Sequence, residues 1–388
     1  MPIKACQGCI KDMFITTIEA IDCFTGKQLW GWGGPISTAF STIGDGTTAD
    51  RPSPVQTISG GNNWKCATSG TNHSAGIKQD GTLWLWGYGG LGALGNNSAA
   101  SQVSPVQTIS GGQNWKTVSA GGFHTLAIKT DGTLWTWGRN NSGSLGDNTI
   151  TNKLSPVQTI AAGNDWSSGS AGLELSAAIK TDGTLWLWGV GFCGALGNGA
   201  ITNRSSPVQT IAGGSNWKQV SAGTYAAAAI KTDGTLWTWG RGNSGELGDN
   251  TTVSKSSPVQ TIAGGSNWKE VSTGRTVKAA VKTDGTLWTW GYNTRGELGD
   301  NTGVAKLSPV QTIAGGSNWR SVSISDHAAA IKTDGTVWTW GYNGRGGLGD
   351  NTVANKFSPV QTVALGTSWK QVSSGTTNTT LAIKEVEF

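Results

Sequence analysis

Thr232-Asp-Gly-Thr-Leu-Trp-Thr-Trp-Gly240 is the stretch whose reading decides the fold. Asp233-Gly234 reads as a tight hairpin turn, because glycine accepts a positive φ at little steric cost. Leu236 to Trp239 then alternates as a strand does, with Leu236 and Thr238 on one face and the two tryptophans on the other. The stretch recurs as Asp-Gly-Thr-Leu/Val-Trp-Xaa-Trp-Gly from Asp80, Asp131, Asp182, Asp233, Asp284 and Asp334. A degenerate first copy reads Thr25-Gly-Lys-Gln-Leu-Trp-Gly-Trp-Gly33.

Working outward from Thr232, two more strands precede the turn, Trp217–Ser221 and Ala226–Lys231. A Gly/Asn-rich loop from Gly240 to Ser257 follows the Trp-Xaa-Trp-Gly strand. Pro258-Val-Gln-Thr-Ile262 reads as the fourth strand, its leading proline suiting a strand start or an edge. The Ser-Pro-Val-Gln-Thr motif recurs at Pro54, Pro105, Pro156, Pro207, Pro258, Pro309 and Pro359, a step of 51 residues that falls to 50 at the last. A lone tryptophan follows each time, at Trp64, Trp115, Trp166, Trp217, Trp268, Trp319 and Trp369. Seven units of three thus account for all 21 tryptophans, which are assigned to packing within and between units.

A four-stranded unit of about 50 residues repeated seven times predicts an all-β chain, a seven-bladed β-propeller. The 60 glycines and 13% charged residues fit short strands and turns, and exclude a helical or a disordered chain. Trp369–Ser373 and Thr380–Lys384 supply two strands of a unit that Leu29–Trp32 and Pro54–Ile58 complete. The ring is therefore expected to close by pairing of N- and C-terminal strands. Met13–Asp22 also reads as a strand and competes for the place beside Leu29–Trp32. Either the C-terminal strand takes the outer position, or the N-terminal segment adds a fifth strand. Residues 1–24 are read as a docking segment with an extra strand, and 25–388 as the propeller.

The unit Trp-Lys-Xaa-Val-Ser-Ala-Gly … Ala-Ile-Lys-Thr-Asp-Gly-Thr-Leu-Trp-Thr-Trp-Gly-Xaa-Asn-Xaa-Xaa-Gly-Xaa-Leu-Gly resembles the regulator of chromosome condensation repeat family, over roughly residues 25–384. The resemblance implies a seven-bladed propeller. The best-known member is a nucleotide-exchange factor for a small nuclear GTPase that also sits on nucleosomes. This chain departs from it: Lys4 and Lys11 are the early positive charges, and no unit lengthens to hold a wedge hairpin. The evenness of the copies looks like bacterial and phage arrays of the family, in which the propeller is a binding or structural module.

The net charge of +5 is mild, and no nucleic-acid surface is expected from lysines spread by the repeat. Cys6-Gln-Gly-Cys9 has metal-ligand spacing but no second pair. Cys23, Cys66 and Cys193 are scattered, so reduced thiols are expected rather than zinc. No apolar leader core and no membrane-length segment is present in the sequence. Leu-Gly-Asp-Asn, as at Leu247–Asn250, offers one carboxylate per copy and reads as turn chemistry rather than a calcium loop. With no Gly-x-Ser-x-Gly elbow, phosphate loop or His-Glu-x-x-His, no enzyme and no cofactor is expected.

Two windows vary among the copies. The first follows Ser-Xaa-Gly and contains His73, Phe123, His124, Glu174, Tyr225, Arg275, Lys278, Asp326 and His327. These loops are expected to meet on one face as a recognition surface. The three histidines share one column, and the family resemblance includes a histidine there, which favours a structural role over a metal or general base. The second window follows Trp-Xaa-Trp-Gly and contains Arg139, Val190, Arg241, Tyr292, Arg295, Tyr342 and Arg345. Of these, Tyr292, Arg295, Tyr342 and Arg345 complete the candidate binding set, a composition suited to protein or glycan contact. The expected function is a non-enzymatic binding propeller located in a virion, as a tail, fibre or capsid-surface protein. It would dock other subunits partly through residues 1–24, or attach to a host protein or glycan. The alternatives are an exchange factor or chromatin-type adaptor, which would be cytoplasmic, and a glycan-binding adhesin.

Overall fold

A computed structural model describes residues 25–387, apart from 35–36, 59–60, 110–111, 162 and 377. The segment 1–24, with its expected strand, its docking role, Cys6, Cys9 and Cys23, lies outside the described residues.

The described residues form seven antiparallel sheets of four strands, six of them meanders in chain order and the seventh built from both ends of the chain. In the fourth blade the strands are Trp217–Ala222, Ala226–Lys231, Leu236–Gly240 and Lys255–Gln260, from the axis outward. Neighbouring inner strands are tied by serine hydroxyls. Ser119 Oγ accepts from the Ala171 N–H at 2.9 Å, and Ser170, Ser221 and Ser272 do the same one, two and three blades on.

The outer strand differs from its sequence reading. It starts three residues earlier, at Lys255, and ends at Gln260, so Pro258 sits inside it and Ile262 lies beyond it. The register also shifts opposite Thr238 and Gly240. Proline is tolerated because this strand has no further neighbour to which an N–H must donate.

Closure follows the expected pairing, with a correction to the order. Thr379–Glu387 pairs with Thr25–Gly33 in unbroken register, from Thr25↔Glu387 to Gly33↔Thr379. The sheet runs Arg51–Gln56, Thr25–Gly33, Thr379–Glu387, Trp369–Ser374. The C-terminal strand is therefore second from the axis, and Arg51–Gln56 holds the outer edge. The reason is local: Thr379–Glu387 is the hairpin partner of Trp369–Ser374 and must lie beside it.

The tryptophans make the seams between blades. Trp217 and Trp239 are buried against Leu175, Ile179 and Leu187 of the preceding blade. Their rings meet edge to face at 6.3 Å, and the same pair recurs as Trp64–Trp86 at 6.2 Å. Burying an indole removes some 150–250 Å² from water, worth about 4–6 kcal/mol before entropy costs. The half-buried Trp237 and the buried Trp217 sandwich the Lys231 ammonium at 4.7 and 4.8 Å, and Lys78, Lys129, Lys282 and Lys332 repeat the arrangement.

Each long loop folds under the next blade. Trp290 Nε1 donates to Glu246 O at 3.0 Å, and Gly248, at φ +66°, lies so close to that ring that a Cβ would sit 2.9 Å from Nε1. Asp249 is spent on the turn: it accepts from Thr251 at 2.8 Å and lies 3.8 Å from Lys255.

Candidate interaction face

In an antiparallel meander, the loop joining strands one and two and the loop joining strands three and four emerge at the same end. Both variable windows therefore lie on one face of the ring. The Asp-Gly turns and the connections between blades lie on the other.

The histidine column sits beneath this face, buried in the seams. His73 Nε2 bonds to Thr125 Oγ1 at 2.7 Å, His124 Nε2 to Ser176 Oγ at 2.8 Å, and His327 Nε2 to Thr380 Oγ1 at 2.6 Å. Each hydroxyl belongs to the following blade and itself donates to a loop carbonyl, Ala93, Ser144 or Gly347. For Ala93 and Ser144 the same oxygen accepts the next blade's indole, Trp137 or Trp188. The relay staples one blade to the next. Burial holds His73 down to about 3, with His124 adding repulsion, and His124 and His327 down to about 4, so all three are neutral at pH 7. Among the described residues no three His, Cys, Asp or Glu are grouped to hold a metal.

Lys278 is buried in the hydroxyl column. Its Nζ donates to Glu246 O at 2.6 Å, so an ammonium replaces the hydroxyl of other blades. Burial lowers its pKa to about 8, partly offset by Glu246. The Glu246 carboxylate is buried too; Oε2 accepts from the Ser244 N–H at 2.6 Å and Oε1 lies 3.5 Å from Arg241 Nε.

Around the axis the loops pack glycine on backbone. A Cβ on Gly172 would lie 2.0 Å from Gly223 O. The first four blades are stitched there by backbone bonds: Thr71 N–H to Gly121 O at 3.2 Å, Gly122 to Gly172 at 2.9 Å, and Leu173 to Gly223 at 3.2 Å. Among the described residues, Thr224 and Arg275 make no equivalent bond. The sixth blade's loop is one residue shorter, with Ser325-Asp326-His327 where the fifth has Gly274-Arg275-Thr276-Val277. Ser325 compensates by donating from Oγ to Gly375 O at 2.8 Å.

A groove of about 270 Å³ opens in this sector, lined by Arg241, Ser244, Arg275, Tyr292, Arg295, Glu297 and Asp326. It adjoins a second hollow of about 300 Å³ beside Tyr225 and Thr224. Burial raises the Asp326 carboxyl, opposed by Arg275 and Arg295. Burial also raises Glu297, whose Oε2 accepts from the Arg295 N–H at 2.8 Å. The Arg295 guanidinium lies 4.4 Å over Tyr342.

Five expected site residues therefore converge here: Tyr225, Arg275, Tyr292, Arg295 and Asp326. Tyr342 joins them by stacking. Phe123 and Glu174 belong to a separate arc, where Arg139 lies 5.4 Å over Phe123 and 2.8 Å from Glu174. Arg345 lies 3.7 Å from Asp50. His73, His124, His327 and Lys278 are buried in seams and form no part of the exposed surface. Sequence reasoning missed Glu246 and Glu297 as groove walls, and the exposed Phe192, whose ring meets Tyr225 at 5.2 Å. The one sequence signal for the groove is the 50-residue step.

Regulator of chromosome condensation repeats match residues 80–128, 131–179, 182–230, 233–281, 284–331 and 334–382, and a second description of the repeat matches 115–144 and 217–246. The chain belongs to the RCC1 repeat family. The ultraviolet-B receptor UVR8 of Arabidopsis thaliana is 30% identical to this RCC1-repeat chain over 299 residues, 76% of the chain and 67% of the receptor. Mitochondrial RUG3 of the same plant is 29% identical over 262 residues, and the chain spans 57% of its length. The human E3 ubiquitin-protein ligase HERC2 is 28% identical over 272 residues, which are 67% of this chain and 6% of the ligase. Among solved structures, yeast RCC1 (Prp20) bound to Kap60 matches with a TM-score of 0.81 at 16% identity, covering 100% of this chain and 96% of that one. Human WBSCR16 matches with 0.77 at 18%, covering 93% and 98%. At such identities the two structures bear on the fold alone.

Proposed function

We propose that this chain is a non-enzymatic binding propeller that docks a protein partner on the sector of Arg241, Arg275 and Arg295. The observation that carries this reading is the break in the axial stitching. A symmetric repeat gives every blade the same packing, and the groove where this sector departs from symmetry is lined by arginine and tyrosine, residues enriched at protein interfaces. Arg275 is exposed there and donates no hydrogen bond among the described residues. Membership of the repeat family, rather than the structural likeness, supports protein binding as a class: one solved propeller of the family is bound to Kap60, and a structure of Prp20p is described with its binding to Gsp1p and histones.

The finer reading is a virion subunit, at a tail, fibre or capsid surface, meeting other subunits or a host surface. It rests on the near-identity of the copies. The test is the mass and composition of the native species containing the chain, by gentle lysis, sizing and mass spectrometry. Co-migration with a megadalton particle of capsid or tail proteins is the expected result. A one-to-one complex with a small GTPase overturns it and brings forward the exchange-factor reading.

A further inference from the structure

The inner strands of adjacent blades are also joined by side-chain amides. Gln219 Oε1 accepts from the Val271 N–H at 3.1 Å, while its Nε2 donates to Val271 O at 3.3 Å. Gln371 makes the same pair with Ala67, at 3.0 Å for both bonds. A primary amide presents an acceptor and a donor side by side, so it reads one residue's N–H and C=O as a neighbouring strand would.

Glu270 holds this position in the fifth blade. The Val322 N–H donates to its Oε1 at 3.2 Å. By the equivalence of the three positions, Oε2 stands where the glutamines carry their NH₂, facing the Val322 carbonyl. Two acceptors opposed there repel, whereas a carboxylic acid supplies the missing donor. Burial raises Glu270 to about 7, against the pull of the Val322 N–H, Lys269 and Arg320.

The neighbouring cations are engaged elsewhere. Lys269 Nζ donates to Arg320 O at 3.3 Å, and Arg320 Nη2 donates to the Trp369 and Lys370 carbonyls at 2.8 and 2.9 Å. On the second strand of the same blade, Lys278 is held by Glu246 O, and the Lys282 ammonium lies 4.7 Å over Trp268. On the fourth blade, Lys218 is exposed on the inner strand and Lys231 sits over Trp217. Among the described residues none forms an ion pair with Glu270.

We propose that Glu270 carries a proton on Oε2 and donates it to the Val322 carbonyl, closing the seam between the fifth and sixth blades while the proton is held and loosening it when the proton is lost. Val322 lies on the strand Trp319–Ile324, which leads directly into Ser325 and Asp326 of the groove. The seam is thus a proton-sensitive hinge under the docking sector; that link to docking, unlike the proton itself, rests on the proposed function.

The sign follows from linkage. A carboxyl raised in the folded state adds stability that is fully present below about 4.5 and is lost as pH rises through about 7. Within that window its share of the unfolding constant grows about tenfold per pH unit. The buried histidines act in the opposite sense, so the wild type must be compared with a variant at each pH.

The experiment is denaturant unfolding of the full chain and its Glu270→Gln variant from pH 4.5 to 8.5. Glutamine at 270 copies the fourth and seventh blades. The two proteins are expected to match near pH 4.5, with the variant unfolding constant lower by on the order of 100-fold at pH 8. A difference that stays constant across the range overturns the proposal. Carbon-13 NMR of the wild-type glutamate carboxyls is independent of how the variant folds. A resonance absent from Glu270→Gln with a midpoint near 7 is expected, and a midpoint below 5 overturns the proposal. Failure of the docking reading, seen as partner binding indifferent to Arg275, leaves both measurements unaffected.

Discussion

Blades one to three and blades four to six come from the same repeat, yet their seams and faces are built differently. In the first group, His73 and His124 reach Thr125 and Ser176 of the following blade, and backbone bonds stitch the axis. In the second, the histidine column holds Ala226, Val277 and His327, of which His327 alone makes a relay, to Thr380 of the seventh blade, and the hydroxyl column holds Ala227, Lys278 and Ala328. Lys278 extends into space that a histidine relay would fill. Among the described residues Thr224 and Arg275 lack the axial backbone bond, and the arginine-lined groove lies above. The tryptophan seams are the same throughout. The repeat therefore fixes the ring through its large apolar residues and leaves the polar staples free to diverge, and the sector where they diverged is the one with a candidate binding surface.

The largest effect should come from the part shared by both regions. Trp137→Ala in the stitched region and Trp290→Ala in the open one should each cost about 3–5 kcal/mol in denaturant unfolding, since each empties a buried seam. A large difference between the two would break the view that the seams are equivalent.

The next test separates the regions by pH. A histidine held below its unfolded value binds fewer protons when folded, so stability is lost as pH falls from about 6.5 to about 4. The His124 relay should contribute up to about 3 kcal/mol of acid sensitivity. His124→Leu combined with Ser176→Ala copies the Leu175/Ala227 pair and should reduce the slope of unfolding free energy against pH in that range. An unchanged slope would show that His124 protonates without breaking the staple.

Two smaller effects sharpen the comparison of faces. Arg275→Glu should change stability by about 0.5 kcal/mol or less, as exposed substitutions do, and Arg139→Glu by about 1 kcal/mol, because it replaces the half-buried pair with Glu174 by two like charges. Inserting one glycine between Ser325 and Asp326 restores the 51-residue step. It should slow amide exchange at Arg275 severalfold by re-forming the axial bond, as read by hydrogen-exchange mass spectrometry.

Much of this was legible in the sequence. Three tryptophans per unit and an Asp-Gly turn at fixed spacing dictated the blades, because few residues other than tryptophan fill such seams. The outer strand was misplaced because Pro258 suggested a beginning, whereas an edge strand needs no donor at that point. The relay was legible in principle: each histidine is followed 52 or 53 residues later by Thr125, Ser176 or Thr380, while Leu175 and Val277 are followed by Ala227 and Ala328. That pairing escaped a reading made one column at a time. The groove could not be read, because it is made where loops of three blades converge, and its sequence trace is one missing residue. Lys278 looked like a loop cation and is buried, because the column it occupies faces the seam.

The most direct test of the central claim is partner retention by paired variants. The native species isolated with the wild-type chain would be compared with those formed by Arg275→Glu and Arg139→Glu, by sizing and mass spectrometry. The account predicts that Arg275→Glu loses the partner while Arg139→Glu keeps it. Retention by Arg275→Glu, or equal loss from both, would contradict a docking site in the open sector.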